Sequence, residues 1–377
     1  MTTNTQFSTS TVENASSLLE GIDRSSLSDR LRDTIDLHLH PQHGSLYWLK
    51  RQERLNLDIV DRIRSFEDLP LLEITDPSKL ASHSVWDFFP QGLWSERSRC
   101  IVSESGGTTG KSVASAFFLE EFQQAFIAPF LEVVESTGFP TGVEWLWIGP
   151  TGPHIIGKVV RELARKTKCP DPWSVDFDPR WAKKLVAGSF ASKRYLDHVV
   201  EQSLTVLERE EIHVIFTTPV VLAALSSSMS DRIRERMTGV HYGGMTITAE
   251  EINRFRSLFP NAVHLSGYGN SLCGVALEAD DVQRKTIDYF PSSPRLIYQT
   301  VELSDDHIAW SPTEIGRRGR VMFHRFDRSC FLPNVLERDE AETIPANLSA
   351  KELGWNFPGL RDPGPSQNNK KIKVGLY

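Results

Sequence analysis

The residue types most suited to chemistry stand in one short run, Ser105-Gly106-Gly107-Thr108-Thr109-Gly110-Lys111. Glycines let a backbone turn tightly and approach an anion closely. Successive N–H groups can then point inward as a cradle, with Thr108 and Thr109 adding hydroxyl donors and Lys111 a positive charge for phosphate. The run is not a Walker A loop, because its first glycine is too close to the final Gly-Lys. An ordinary glycine-rich turn has the same composition, so the run alone leaves both readings open.

Three further loops bear on that choice. Gly149-Pro150-Thr151-Gly152-Pro153-His154, Gly243-Gly244-Met245 and Gly267-Tyr268-Gly269-Asn270-Ser271 each follow a short apolar run. In an open α/β sheet the carboxyl ends of the strands converge on one crevice, which would gather these loops near the first. Tyr268 then offers an aromatic face to a base, and Asn270 and Ser271 offer hydrogen bonds. Simple packing of a tyrosine in a glycine turn is the competing reading. His38, His40 and His43 are close enough together to suggest a metal, but no nearby carboxylate or cysteine completes a ligand set, so a polar loop after a helix accounts for them.

The elements that must position these residues follow from periodicity. Cys100–Val102 reads as a strand entering the Gly/Thr loop. Residues 114–135 read as one long helix with Phe117, Phe118, Phe122, Phe126, Phe130 and Val134 on a face. Strands are expected at 145–148, 214–216, 240–242 and 263–265, with helices over 155–166, 196–209, 219–226 and 249–258. Such repeated strand–loop–helix units predict a mainly parallel sheet flanked by helices, an α/β fold. Earlier, helices are expected within 17–39 and 47–61, and Asp76 or Ser78 is a candidate cap. From about residue 288, runs at 296–303, 308–310 and 320–326 predict a smaller β-rich subdomain. The division read from the sequence is a tail with helices over 1–44, an α/β core over 45–287, the β-rich subdomain of the same domain over 288–365, and a tail over 366–377.

Composition narrows the class. Of 377 residues, 40% are hydrophobic and 24% charged, the make-up of a globular enzyme with a sizeable core. A formal net charge of −7 argues against a nucleic-acid binder. Cys100, Cys169, Cys273 and Cys330 are scattered, which reads as reduced thiols. The amino terminus lacks the features of a signal peptide, and no apolar run approaches the ~20 residues of a membrane span. A cytoplasmic protein is expected, with no membrane or nucleic-acid partner; its oligomeric state is not legible.

Taken together, the motifs resemble those of the adenylate-forming superfamily of acyl- and aryl-CoA ligases over about residues 45–365. Ser105 to Gly110 match the order of that family's phosphate loop. Gly243-Gly244 resembles its adenine-side turn, Tyr268-Gly269-Asn270-Ser271 its Y-G-x-[ST]-E motif, and Arg338-Asp339 the stretch whose Asp holds the ribose. Residues 45–80, with Phe66-Glu67-Asp68-Leu69-Pro70, resemble the phenylacetate-CoA ligase and acyl-protein synthetase branch. The resemblance implies ATP with Mg²⁺, an adenylate-forming N-terminal-domain fold, and an acyl adenylate as product. It implies ATP contacts from Ser105, Gly106, Gly107, Thr108, Thr109, Gly110, Gly243, Gly244, Tyr268, Gly269, Asn270, Ser271 and Asp339. Lys111 and His154 are the candidate catalytic residues, and His154, Gly244, Met245 and Gly267 would line the acid.

Three departures qualify the match. Ser112-Val113 replace the family's Pro-Lys, so Lys111 sits two positions early. Leu272 stands where the family has a Glu that helps hold Mg²⁺, leaving the metal ligand unassigned. Gly359-Leu360-Arg361-Asp362 looks like the family hinge, and Lys370, Lys371 and Lys373 are too near the terminus to be its C-terminal lysine; a chain without that domain is expected. A truncated enzyme of this kind resembles one from phenazine antibiotic biosynthesis. That implies an aromatic acid, a phenazine dicarboxylate, and a downstream reductase or acyl-acceptor protein. Acyl transfer through Cys273 or Cys330, and an ATP- or acid-binding protein with reduced catalysis, are the alternatives.

Overall fold

The computed structural model describes residues 24–105, 112–304 and 309–366. The chain divides into two compact units, one of residues 101–115, 119–289 and 364–377, the other of 1–100, 116–118 and 290–363.

The first of these is the α/β unit. Strands β1 (Cys100–Glu104) and β2 (Ala114–Phe118) form a two-stranded sheet. A larger sheet holds β3 (Glu144–Ile148), β4 (Trp173–Val175), β5 (Ile212–Thr217), β6 (Gly239–Tyr242), β7 (Val263–Asn270) and β8 (Gly274–Leu277) in the order β4-β3-β5-β6-β7-β8. All neighbours in it are parallel except β7 and β8. Strands β3, β5 and β6 are nearly continuous buried runs, as parallel strands covered on both faces must be. The intervening helices start where the sequence provides caps. Thr218 caps Pro219–Ser228, whose proline at the first turn has no N–H to leave unsatisfied. Thr248 and Glu251 form a reciprocal capping box on Ala249–Leu258. A short strand, β9 (Asp288–Tyr289), closes the unit's sequence.

Two readings from the sequence are corrected here. Residues 114–135 are not one helix: Ala114–Phe118 is strand β2, and helical structure begins at Leu119. The phenylalanine spacing mimics a helical face, but Ser115, Ala116, Phe117 and Phe118 are consecutively buried, which a surface helix does not achieve. Gly267–Asn270 is likewise not a loop. It continues β7, and residues 267–270 pair antiparallel with 277–274. At Gly269 a Cβ would stand 2.0 Å from the Gly274 carbonyl oxygen, so glycine is required there for the strands to approach.

The other unit is built on an antiparallel sheet containing β10 (Leu296–Leu303), β11 (Trp310–Pro312), β12 (Arg318–Phe326), β13 (Phe331–Ile344) and β14 (Gly359–Pro365) in the order β11-β10-β12-β13-β14. Gly359–Asp362, read as a hinge, therefore lies within a strand. The helix Arg24–His38 contributes Leu27, Leu31 and Ile35 to a core cluster with Met322, Phe326 and Phe331. Asp327 anchors this unit. It is fully buried and takes Arg295 Nε at 3.0 Å, Arg325 Nε at 2.6 Å and Arg30 Nη2 at 3.3 Å. These cations hold its carboxyl well below the usual carboxylate range despite its burial. His38 is also committed here: Nε2 lies 3.0 Å from the Asp327 carbonyl and Nδ1 3.3 Å from Ser45 Oγ.

Candidate functional site

The site's frame is set by strand register. Ile148 pairs with Thr217, Thr217 with Tyr242, and Tyr242 with Ser266, so the carboxyl ends of β3, β5 and β6 finish in one row beside Ser266 of β7. The next residues, Gly149, Thr218 and Gly243, leave the sheet there, beside Gly267, where β7 runs on to pair with β8. Thr217 Oγ1 donates to the Ile148 carbonyl at 2.8 Å and the Gly243 N–H to the Thr217 carbonyl at 3.2 Å, which locks the row. Gly244 has φ +79, a conformation that favours glycine, and it lets the chain turn before Met245.

The base of the Gly/Thr loop is tied to this row. Glu104 N–H donates to the Pro153 carbonyl at 2.9 Å, and Glu104 bridges His154 in parallel. Across the loop's neck, Ser105 N–H donates to the Val113 carbonyl and Val113 N–H to Ser105 Oγ, each at 2.9 Å. Ser115 Oγ donates to the Ser271 carbonyl at 2.5 Å, joining β2 to the end of β7. Ser105, His154, Gly243, Gly244, Met245 and Gly267 through Ser271 are thus gathered at one edge of the α/β unit. Gly106, Gly107, Thr108, Thr109, Gly110 and Lys111 lie outside the described residues. Asp339 is on β13 in the other unit, half-buried.

Among the described residues, the buried polar atoms at this edge without a hydrogen-bond partner include His154 Nε2 and Ser271 Oγ. Their residues are 5% and 8% exposed. His154 is the N-cap of the helix Ile155–Lys166, yet its ring makes no capping bond. Burial, and then the positive charge of Arg180, lower its pKa, so the ring is neutral at physiological pH. Asn270 turns inward and accepts N–H bonds from Leu272 at 2.8 Å and Cys273 at 3.1 Å.

A second layer went unread in the sequence. Behind Gly267, Ser266 donates its N–H to Glu278 Oε2 at 3.2 Å, and its hydroxyl lies 2.5 Å from the same oxygen and 2.9 Å from the Tyr289 hydroxyl. Burial pushes Glu278 up to about 7. The Tyr289 ring lies 6.0 Å from that of Tyr268, so this cluster supports the aromatic face. Only the non-local pairing of β7 and β8 brings these groups together, and no local pattern announces it. Trp145 and Trp147 are core residues rather than exposed lining, packed against Phe139 and Phe216. Cys273 and Cys330 are buried as well, at 0% and 7% exposure, the setting of an inert thiol rather than a nucleophile. Among the described residues, no helix is long and apolar enough to cross a membrane.

No protein-family model matches the sequence, and no curated protein matches it. Solved structures do match the fold. 2-Hydroxyisobutyryl-CoA ligase in complex with 2-HIB-AMP and CoA, in the thioesterification state, superposes with a TM-score of 0.64 at 11% identity, covering 89% of this chain and 66% of that one. The same ligase in the postadenylation state with R3-HIB-AMP gives 0.63 at 10% identity, over 92% and 68%. An open conformation gives 0.61 at 11% identity, over 89% and 68%. The chain thus spans about two thirds of the length of these ligase chains. At such identities the likeness is one of architecture: the chain has a mixed α/β fold similar to that of adenylate-forming ligases, as its sequence motifs led one to expect.

Proposed function

We propose that the chain activates an aromatic carboxylic acid with ATP, forming an acyl adenylate and releasing pyrophosphate. The observation that carries this is the pair of buried, unpartnered atoms, His154 Nε2 and Ser271 Oγ, at the row of glycine-bearing strand ends. A buried polar group left unsatisfied costs about 1–3 kcal/mol, which a polar ligand at this edge would relieve. The structures of similar fold hold 2-HIB-AMP or R3-HIB-AMP, and the motif order matches that chemistry.

A substrate carboxylate oxygen attacks the α-phosphorus of ATP, and the bond from that phosphorus to the bridging oxygen of pyrophosphate breaks. Such a step needs positioning and charge stabilisation more than covalent help. His154, neutral, donates from Nε2 to the substrate carboxylate. The loop from Ser105 to Lys111 takes the phosphates, Gly243, Gly244 and Tyr268 the adenine, and Asn270 and Ser271 the polar edge of the nucleotide; the sequence resemblance alone gives the ribose to Asp339. Gly244, Met245 and Gly267 line the acid. Bound with ATP, Mg²⁺ would neutralise part of the charge of its phosphates. Leu272 is apolar and buried, and among the described residues no group of His, Cys, Asp and Glu side chains gathers to hold a metal. The described residues therefore do not fit a resident Mg²⁺ site.

The finer form of the proposal, a phenazine dicarboxylate activated for a downstream reductase or acyl acceptor in antibiotic biosynthesis, rests on the sequence resemblance. The test is exchange of labelled pyrophosphate into ATP, screened across fatty, benzoic and polycyclic aromatic acids. Exchange dependent on an aromatic acid is expected. ATP binding without exchange for any acid would point instead to a binding protein.

A further inference from the structure

A half-open groove of about 860 Å³ runs between two helical walls of the α/β unit. One wall is the helix Ile155–Lys166, which turns Lys158, Arg161, Arg165 and Lys166 to it. Their spacing is that of one helix face. The other wall begins at Leu119, and Gln123–Ile127 within it is a π-turn, a widened turn frequent at functional sites. Ile101 of β1, Leu119 and Phe122 supply the apolar lining, with Leu119 52% exposed. Gln123 Nε2 donates to Glu162 Oε1 at 2.8 Å, which ties the walls together. The groove starts next to the site. Lys158 lies one turn beyond His154 and donates to the Val102 carbonyl at 2.6 Å, two residues before Glu104, which bridges His154.

The cations of the first wall are incompletely answered. Arg165 is paired with Glu162, Nη2 to Oε1 at 2.6 Å and Nε to Oε2 at 2.8 Å. Arg161 meets Asp171 only at 3.9 Å, with the two side chains 62% and 72% exposed, and such a pair is worth little in water. Among the described residues Lys166 forms no salt bridge, and Lys158 gives its ammonium to a main-chain carbonyl. A positive stripe thus stands on a chain of net charge −7, where it favours the approach of a negative partner to this face. At a rise of 1.5 Å per residue the four cations span about 12 Å, a line rather than the single point on which a phosphate group is held. We propose that the groove docks an acidic amphipathic helix of a partner protein, its apolar face on Ile101 and Leu119 and its carboxylates on Arg161 and Lys166. About two turns of a helix ~10 Å across occupy a space of this size, and an amphipathic helix laid in an apolar groove is a recurring mode of recognition. What the partner does rests on the acyl-adenylate reading: seated from about 6 Å along the helix from His154, it is placed to take over the acyl adenylate.

The test uses a fluorescein-labelled, stapled helical peptide of about 14 residues, with Leu at every third or fourth position and Glu on either side of that stripe. A twin peptide carries Lys in place of Glu. Binding is read by fluorescence anisotropy at low and high salt, and pyrophosphate exchange with an aromatic acid is measured beside it. Wild type is compared with Leu119→Asp, with Arg161→Glu/Lys166→Glu, and with Lys193→Glu/Lys351→Glu, which changes net charge equally at exposed positions elsewhere. Wild type should bind the Glu peptide, less tightly at high salt. Both groove variants should weaken that binding by about tenfold or more, and the control should stay within about twofold. Arg161→Glu/Lys166→Glu should gain affinity for the Lys peptide. Circular dichroism shows whether each variant is folded; should Leu119→Asp not fold, the charge-reversed pair decides alone. Equal binding of the Glu peptide by wild type and the groove variants, or none by wild type, overturns the docking. So does binding of tripolyphosphate or of phosphatidylserine vesicles, lost in the same variants, without binding of the peptide. Docking without exchange in wild type overturns the adenylation reading and leaves the groove standing; exchange without docking does the reverse.

Discussion

The hydroxyl of Ser115 reaches the main-chain oxygen of Ser271 across 2.5 Å, fastening β2, which leaves the Gly/Thr loop, to the end of β7. Ser115 also faces Ser103 on β1 at 3.0 Å. Ser115→Ala should lower stability by about 1–2 kcal/mol, the value of a buried hydrogen bond whose acceptor is then left unsatisfied. KM for ATP should rise several-fold while KM for the acid changes little. Chemical denaturation and exchange kinetics read the two effects separately.

His154 makes a second prediction. Removing a group that orients the reacting carboxylate should lower kcat by about a hundredfold, within the range for positioned acid–base or hydrogen-bonding side chains. His154→Asn, which keeps an amide N–H donor, should recover part of that loss, and His154→Ala should not. Because burial and Arg180 lower the ring's pKa, activity limited by His154 should decline only below the ordinary histidine range. Initial-rate profiles from pH 4 to 8 measure this.

Glu278 makes stability depend on pH at the alkaline side. Its folded-state pKa of about 7 lies above the unfolded 4.5, so stability is full below about 4.5 and is lost as pH rises through 7. The loss approaches about 3 kcal/mol at pH 8. Glu278→Gln should therefore be more stable than wild type at pH 8 and about equal at pH 4. Equal denaturation midpoints at pH 8 would contradict the assignment.

The buried histidines act on the acid side. Burial holds His38, His241 and His264 at about 4 and His324 at about 3. Each unfolded chain binds their protons near 6.5, so stability is full above 6.5 and is lost as pH falls toward 4, by up to about 3 kcal/mol per histidine. His241 lies with its ring 4.1 Å from that of Phe216 and Nδ1 3.0 Å from the Leu265 carbonyl. His241→Gln should flatten part of the acid limb in urea midpoints from pH 4 to 7. In the other unit, Asp327→Asn leaves Arg295 and Arg325 buried without their counter-charge and should cost about 3–5 kcal/mol.

What was legible in the chain was what local patterns control. The helix Ile155–Lys166 has the bounds its apolar spacing predicts, and Ala249–Leu258 starts where Thr248 and Glu251 cap it. Strands β3, β5 and β6 announced themselves as short apolar runs between glycines and prolines. Strand β2 did not, because the same phenylalanines that suit a helical face are held extended by pairing with β1. Strand β13 was hidden by Glu337, Arg338, Asp339 and Glu340 in its middle, and by Asn334 at φ +55 beside a register shift. Within the site, glycines and His154 were visible as residue types, whereas Glu278 and Arg180 join it through contacts no local pattern encodes.

Acyl-adenylate formation requires that a carboxylate oxygen attack the α-phosphorus of ATP. The most direct measurement uses an aromatic acid carrying heavy oxygen in its carboxyl group, with the adenylate allowed to break down by attack at its acyl carbon. The account predicts one heavy oxygen in the recovered AMP and none in pyrophosphate. Heavy oxygen recovered in inorganic phosphate, or AMP free of label while the acid is consumed, would contradict it.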